Sequence, residues 1–427
     1  MYIADQLVIV LGNYECIQEA LVKQADAFAG RPKLFSLLPE NLRYHGIIFS
    51  EGNLWKIHRR FALSTLRDFG FGRPIIEPHI KEEVEYLSEQ IKQYSDAGTA
   101  FNPQPLLICA VSNVVSQLIF GHRFDYDDRQ FVHQFMALSS RAAGSNVGLL
   151  SPFVLSAKMA KLTSKLPIVQ KLRREANEFL EFTRNEMKKT KETYDSESAP
   201  TNYIHAYMKA CGDKENASFT DTQLLATVFD LFAAGTETTS TTIRSALLLL
   251  AYYPEIQQKM FIEIRNRVGL SLPNYADKVQ LPFCEAVIME IQRISNLSPF
   301  GVARRTLEPI NLMGYDIPKN TTIIPFLTGV LWNPEEFPDP MKFYPYRFLD
   351  STGKVIRDPK LIPFLAGKRM CLGESLARME LFIVITGLIN RFRFYFVDEQ
   401  PKSRLKPQVG VICAPAPFQF YVETRND

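Results

Sequence analysis

One stretch limits the fold more than any other: residues 220–253 carry a single unbroken helical pattern. Thr220-x-x-Gln223 reads as a capping box that opens a helix, and Pro254 closes it. A helix of this length outruns the roughly 8–20 residues usual in globular proteins. It is apolar on nearly all sides (LLATVFDLFAAG, IRSALLLLAYY), which predicts that it crosses the middle of the molecule. Its centre breaks the pattern. Ala233-Ala234-Gly235-Thr236-Glu237-Thr238-Thr239 puts Gly, an acid and adjacent hydroxyls where packing favours none of them. Thr238 is spaced to bond back to the Ala234 carbonyl and bend the helix. A local conflict of this kind marks a functional site.

The remainder reads as mainly α with a minor β part. Asn13 caps a helix through about residue 23, and residues 55–65, 82–94 and 176–190 show amphipathic helical spacing. Short β-prone pieces fall at residues 6–11, 311–324, 392–397 and 418–422. Residues 191–199 read as an exposed loop, and the Pro-rich residues 333–345 cannot be helical throughout. A chain that is 46% hydrophobic and 22% charged is neither disordered nor fibrous. A net charge of +3 is too small to argue for nucleic acid, so any functional basic surface is local. The six cysteines are scattered with no CxxC pair, which excludes a disulfide framework or zinc site and suits a reducing compartment. All six histidines lie in the first half, so a metal in the second half needs another ligand. A membrane span takes about 20 apolar residues; the longest apolar run, residues 246–253, is far shorter. No signal peptide is expected ahead of residues 6–11.

The strongest chemical signal is Phe364-Leu365-Ala366-Gly367-Lys368-Arg369-Met370-Cys371-Leu372-Gly373. Two glycines flank the cysteine, allowing a tight turn that brings amide N–H groups toward sulfur. A helical pattern follows over residues 374–388, so Cys371 sits at a helix N-terminus with Arg369 nearby. Both features favour a thiolate. A lone cysteine is far more often a buried structural residue; the glycines, the arginine and the helix reverse that reading here.

This motif resembles the haem-binding signature of the cytochromes P450, F-x-x-G-x-R-x-C-x-G. The resemblance extends over residues 6–422. Glu290-Ile291-Gln292-Arg293 and Pro345-Tyr346-Arg347-Phe348 match that family's E-x-x-R and P-x-R-F, whose three charges form a buried lock behind the haem. Residues 234–239 match its oxygen-activation motif, and Trp55-Lys56-Ile57-His58-Arg59 its W-x-x-x-R. The resemblance is to the animal microsomal class, carried by Arg59-Arg60-Phe61-Ala62-Leu63-Ser64-Thr65-Leu66-Arg67-Asp68-Phe69-Gly70 and by Ala27-Phe28-Ala29-Gly30-Arg31-Pro32. Leu365 departs by standing where many relatives carry a small polar residue.

The resemblance implies a single cytochrome P450 domain over residues 1–427, with a long central helix over the haem. That domain is shortened at the N-terminus, without the membrane helix and proline-rich hinge of microsomal relatives. It implies haem b (iron protoporphyrin IX), with Cys371 the iron ligand and Trp55, Arg59, Arg304 and Arg369 holding the propionates. Glu237 and Thr238 are the expected catalytic pair for proton delivery. The implied reaction is monooxygenation of a small apolar substrate (xenobiotic, fatty acid or steroid) by O2, with electrons from NADPH through a reductase. Phe35, Ile48, Phe232, Ala233, Phe300, Val302, Val411 and Ile412 are the expected pocket lining. Lys56, Arg60, Lys368 and Arg378 would form a basic docking face for the reductase. Residues 155–172, apolar with interspersed lysines, suit peripheral membrane contact. The expected location is the cytosolic face of the endoplasmic reticulum, or the cytoplasm where no anchor is present. Two other readings share these residues: a haem-thiolate isomerase or dehydratase acting on peroxides, and a non-catalytic, truncated haem-binding product.

Overall fold

The computed structural model describes residues 1–3, 6–32, 39–128, 131–132, 165–212, 217–398, 405 and 407–425. Among them the helices run α1 (Tyr14–Gln18), α2 (Gly52–Asp68), α3 (Glu77–Ala97), α4 (Gln104–Phe120), α5 (Pro167–Glu192), α6 (Tyr203–Cys211), α7 (Asp221–Tyr252), α8 (Pro254–Arg267), α9 (Pro282–Ser295), α10 (Thr328–Leu331) and α11 (Glu374–Arg391). The strands are short: β1 (Tyr2–Ile3), β2 (Gln6–Leu11), β3 (Arg304–Arg305), β4 (Ile310–Leu312), β5 (Tyr315–Ile317), β6 (Thr322–Pro325), β7 (Phe392–Tyr395), β8 (Gln408–Val409), β9 (Cys413–Ala414) and β10 (Tyr421–Thr424). The expected mainly-α class with a minor β part is what this order shows.

The 32-residue α7 is the axis of the molecule. It packs against α4, α9 and α11, with α3 on the far side of α4 and α11. Apolar side chains of α4 from Leu107 to Phe120 are almost all buried there. No helix among the described residues is long and apolar enough to cross a membrane. The capping box of α7 forms only in half. Thr220 accepts from the Gln223 amide at 3.2 Å, but the Gln223 side chain leaves the cap. It accepts from Gly46 N at 3.0 Å and donates to Gly46 O at 3.1 Å instead. A buried loop backbone needs both partners, and the Gln223 side chain supplies them.

At the N-terminal side, Asn13 accepts from Cys16 N at 2.9 Å, and the chain continues as a turn of π-helix over Glu19–Lys23. A four-stranded sheet with the order β1-β2-β6-β3 stands beside it. β2 pairs in parallel with β6, and β6 pairs antiparallel with β3, which sets Arg304 opposite Ile323. Helix α5 begins at Pro167, so part of the segment expected at a membrane surface is the first turn of a long helix; its residues 155–164 lie outside the described residues, as does Phe35. At the C-terminus, pairing with β7 starts at Tyr421, while Phe420 bridges to Phe101.

Candidate functional site

The loop entering α11 is forced into shape by Gly367. Its φ is +78°, and a Cβ there would lie 1.7 Å from the Leu21 carbonyl oxygen, so glycine alone fits. The turn lets Cys371 N donate to Phe364 O at 3.1 Å and delivers Cys371 to the start of α11. Cys371 is exposed although protein crowds round it, as on the floor of an opening. Burial pushes its thiol up; the Gly373 and Glu374 amides and the Arg59 charge pull it down without prevailing. Desolvation outweighs the helix terminus, and the nearby cation is Arg59 rather than Arg369.

Arg369 stacks over the Trp55 ring, 3.9 Å from its centroid. It donates to Ala29 O, Ile47 O and Ser50 O at 3.0, 3.2 and 2.6 Å. Arg59 donates to Met370 O at 2.7 Å, and Arg304 to Arg369 O at 3.2 Å and Val302 O at 2.7 Å. Trp55, Arg59, Arg304, Arg369 and Cys371 are thus gathered in one place. Arg31, quoted in the sequence only as part of the class resemblance and given no role there, belongs with them: it is buried and donates to Ile48 O, Val302 O and Ala303 O. Burial and mutual repulsion push Arg369 down to about 9 and Arg304 down to about 10.

Such a group of cations is stable only beside an anion. Glu51 approaches Arg369 but is held by Arg305, and Asp230 faces Arg31. The indole Nε1 of Trp55 is buried with no partner. On α7, Ala234 is exposed and Ala233, Gly235 and Thr238 half-buried, while the turns that follow from Thr239 are buried. An accessible sulfur, an orphaned indole N–H, guanidinia in excess and an open helix midpoint fit haem b: a flat metal complex with two carboxylates. Among the described residues no three His, Cys, Asp or Glu side chains gather to hold a metal by themselves.

At that midpoint Thr238 donates to Ala234 O at 2.7 Å, as its spacing predicts. Glu237 is 5% exposed and accepts from the Thr241 hydroxyl at 2.9 Å. Two turns earlier Asp230 accepts from Ile47 N at 2.7 Å and Ile48 N at 2.8 Å. Burial pushes Asp230 up to about 7 against the pull of the Ile48 and Ile47 amides and Arg31. Gly46, at φ +76°, leaves room for this latch, since a Cβ would meet the Asp230 carboxylate at 2.2 Å. Gln223 and Asp230 clamp residues 46–48 from α7 while Arg369 and Arg31 grip the same loop from the other side. No sequence motif pointed to this clamp.

Behind the cysteine, Glu290 and Arg293 are fully buried. Glu290 accepts from Arg293 Nε at 2.7 Å, Arg293 Nη2 at 2.9 Å, Arg347 Nε at 3.2 Å and Tyr344 N at 3.0 Å. The buried reading of this triad holds. Of the expected pocket residues, Phe300, Val302 and Val411 are exposed, and Ile48 and Ala233 half-buried. Ile412 is 7% exposed, and Phe232 has no accessible surface: it packs on Phe120 and Phe179, which corrects its assignment to the pocket. On the expected basic face Lys368 pairs with Asp26 and Arg378 with Glu374; Lys56 and Arg60 are exposed. The patch is therefore narrower than its four cations suggest.

A family model described as Cytochrome P450 matches residues 1–422. Cytochrome P450 2H1 of Gallus gallus is 37% identical over 425 residues, covering 98% of this chain and 85% of that protein. Cytochrome P450 2B9 of Mus musculus is 36% identical over 437 residues, 100% of this chain and 86% of that protein. Cytochrome P450 2U1 of Homo sapiens is 35% identical over 432 residues, 99% of this chain and 78% of that protein.

Proposed function

The chain belongs to the cytochrome P450 family, and on that footing we propose how its residues share the work of the reaction. It is a haem-thiolate monooxygenase with haem b as cofactor. The bound haem supplies O2 activation and redox chemistry; the protein supplies ligand, orientation and proton handling. In this reading Cys371 Sγ would be the protein's one bond to iron, held there as the thiolate. Arg59, Arg304 and Arg369 take the haem carboxylates, with Trp55 Nε1 donating beside them. The supporting observation is the accessible Cys371 sulfur, approached by the Gly373 and Glu374 amides and bordered by that guanidinium group.

Thr238 gives its proton to Ala234 O, so its oxygen is left as an acceptor facing the open midpoint of α7. It serves to hold a proton donor in place, and Glu237 on the same turn passes protons inward. The substrate is a small apolar molecule of the xenobiotic, fatty acid or steroid kind, placed against Ile48, Ala233, Phe300, Val302 and Val411. Electrons come from NADPH through a reductase that docks near Lys56 and Arg60. The chain works as one domain in association with the endoplasmic reticulum membrane. Thr238→Val, near-isosteric, tests this reading: haem content should stay intact, NADPH should still be consumed, and more peroxide should be released per turnover. Unchanged coupling to product would overturn the role of the pair. Product formed from a lipid hydroperoxide without NADPH would favour the isomerase reading.

A further inference from the structure

Below the open midpoint, α7 carries a buried polar line with no obvious packing purpose. Glu237, Thr241 and Arg244 are 5%, 3% and 5% exposed. They fall at i, i+4 and i+7, on one face of the helix. The Thr241 hydroxyl donates to Glu237 Oε1 at 2.9 Å. Arg244 lies two turns beyond Glu237, and side chains on a helix lean toward its N-terminus, which brings the guanidinium back toward the acid. Burial pushes Arg244 down, and the Glu237 charge is what opposes this. Arg244 has a second attachment: Nη2 donates to Pro415 O at 2.7 Å, while Nε is buried without a hydrogen-bond partner. Pro415 directly follows β9, which pairs with β8 (Val409 opposite Cys413) in the hairpin that presents Val411. One guanidinium therefore bonds the backbone behind the expected substrate hairpin and shares a helix face with the acid, whose charge acts on it.

A buried cation is tolerated where an opposite charge or several acceptors hold it. Arg244 has one hydrogen-bonded carbonyl and a carboxylate on its own helix face. We propose that Arg244 and Thr241 are positioning residues for Glu237, keeping its buried carboxylate ionised and oriented, and that Arg244 fastens the Val411 hairpin to the same face of α7. This rests on the reading of Glu237 as the proton-handling acid, and extends it by making the acid's state depend on the hairpin that faces the substrate.

Infrared spectra of the haem-loaded protein at neutral pH test the idea without turnover. Arg244→Met should show a protonated-carboxyl band that disappears in Arg244→Met/Glu237→Gln; Asp230 and Glu380, both raised by burial, are common to the two and cancel. Arg244→Lys should restore the wild-type spectrum. Backbone hydrogen exchange over residues 408–417 should quicken in Arg244→Met on the order of tenfold or more, the factor for one charge-assisted hydrogen bond. A folded Arg244→Met protein with no such band, or with unchanged exchange, overturns the proposal. If Arg244→Met does not fold, Thr241→Val carries the test: the carboxylate bands that Glu237→Gln removes should shift, and unmoved bands overturn it. If instead the bands behave as expected while Thr238→Val and Glu237→Gln leave the ratio of product to peroxide unchanged, it is the proton-handling role that fails.

Discussion

Removing the Glu290 carboxylate should unfold this protein or strip it of haem. Glu290→Ala deletes four hydrogen bonds at once and leaves Arg293 fully buried, with only Leu331 O and Pro340 O as acceptors. Arg347, whose side chain is 11% accessible, keeps carbonyl contacts to the 338–342 turn and loses its charge partner. Breaking one member of a buried pair costs about 3–5 kcal/mol, because a charge is left without compensation. Against a total stability of ~5–15 kcal/mol, that lowers the folded-to-unfolded ratio by a factor of about 10² or more. The assay is urea denaturation of wild type, Glu290→Ala and Glu290→Leu/Arg293→Met, with haem content measured in parallel. The double variant leaves a smaller buried charge and should lose less than the single one, a departure from additivity expected of contacting residues. A soluble, haem-loaded Glu290→Ala protein of near wild-type stability would refute the assignment of this triad to the fold.

Asp230 gives a pH signature with a definite sign. Its folded value is raised to about 7 from 3.8, so in this range the folded chain holds a proton that the unfolded chain releases. Stability from this group grows as pH falls through 7 and is lost above it. Relative to Asp230→Asn, wild type should gain about 1.4 kcal/mol between pH 8 and pH 6 in urea denaturation; a flat difference, or one of opposite sign, would show that the carboxyl is not buried as described. For the docking face, Lys56→Glu with Arg60→Glu should slow reduction by the reductase while leaving the carbon-monoxide spectrum alone, and wild-type reduction should slow with added salt. Rates indifferent to both changes would place docking elsewhere.

Local motifs carried most of what the sequence revealed. The span of α7, the Thr238 back-bond, the Cys371 corner and the Glu290–Arg293 pair are set by residues within a few positions of one another, and spacing exposes them. The clamp of Gln223 and Asp230 on residues 46–48 joins partners more than 175 positions apart through backbone atoms. No periodicity signals such a contact. Arg31 and Arg244 escaped for the same reason, since both bond to carbonyls of distant loops. Phe232 failed differently: its position on α7 suggested the pocket, but the rings of Phe120 and Phe179 claim that face.

The central claim is that Cys371 binds the iron. The decisive measurement is the difference spectrum of the reduced protein with carbon monoxide, recorded for wild type and for three single substitutions. Wild type, Cys284→Ser and Cys413→Ser should give the thiolate-type spectrum, because those two cysteines are buried whereas the Cys371 sulfur is accessible. Cys371→Ser should lose it. A thiolate-type spectrum persisting in Cys371→Ser would contradict the account.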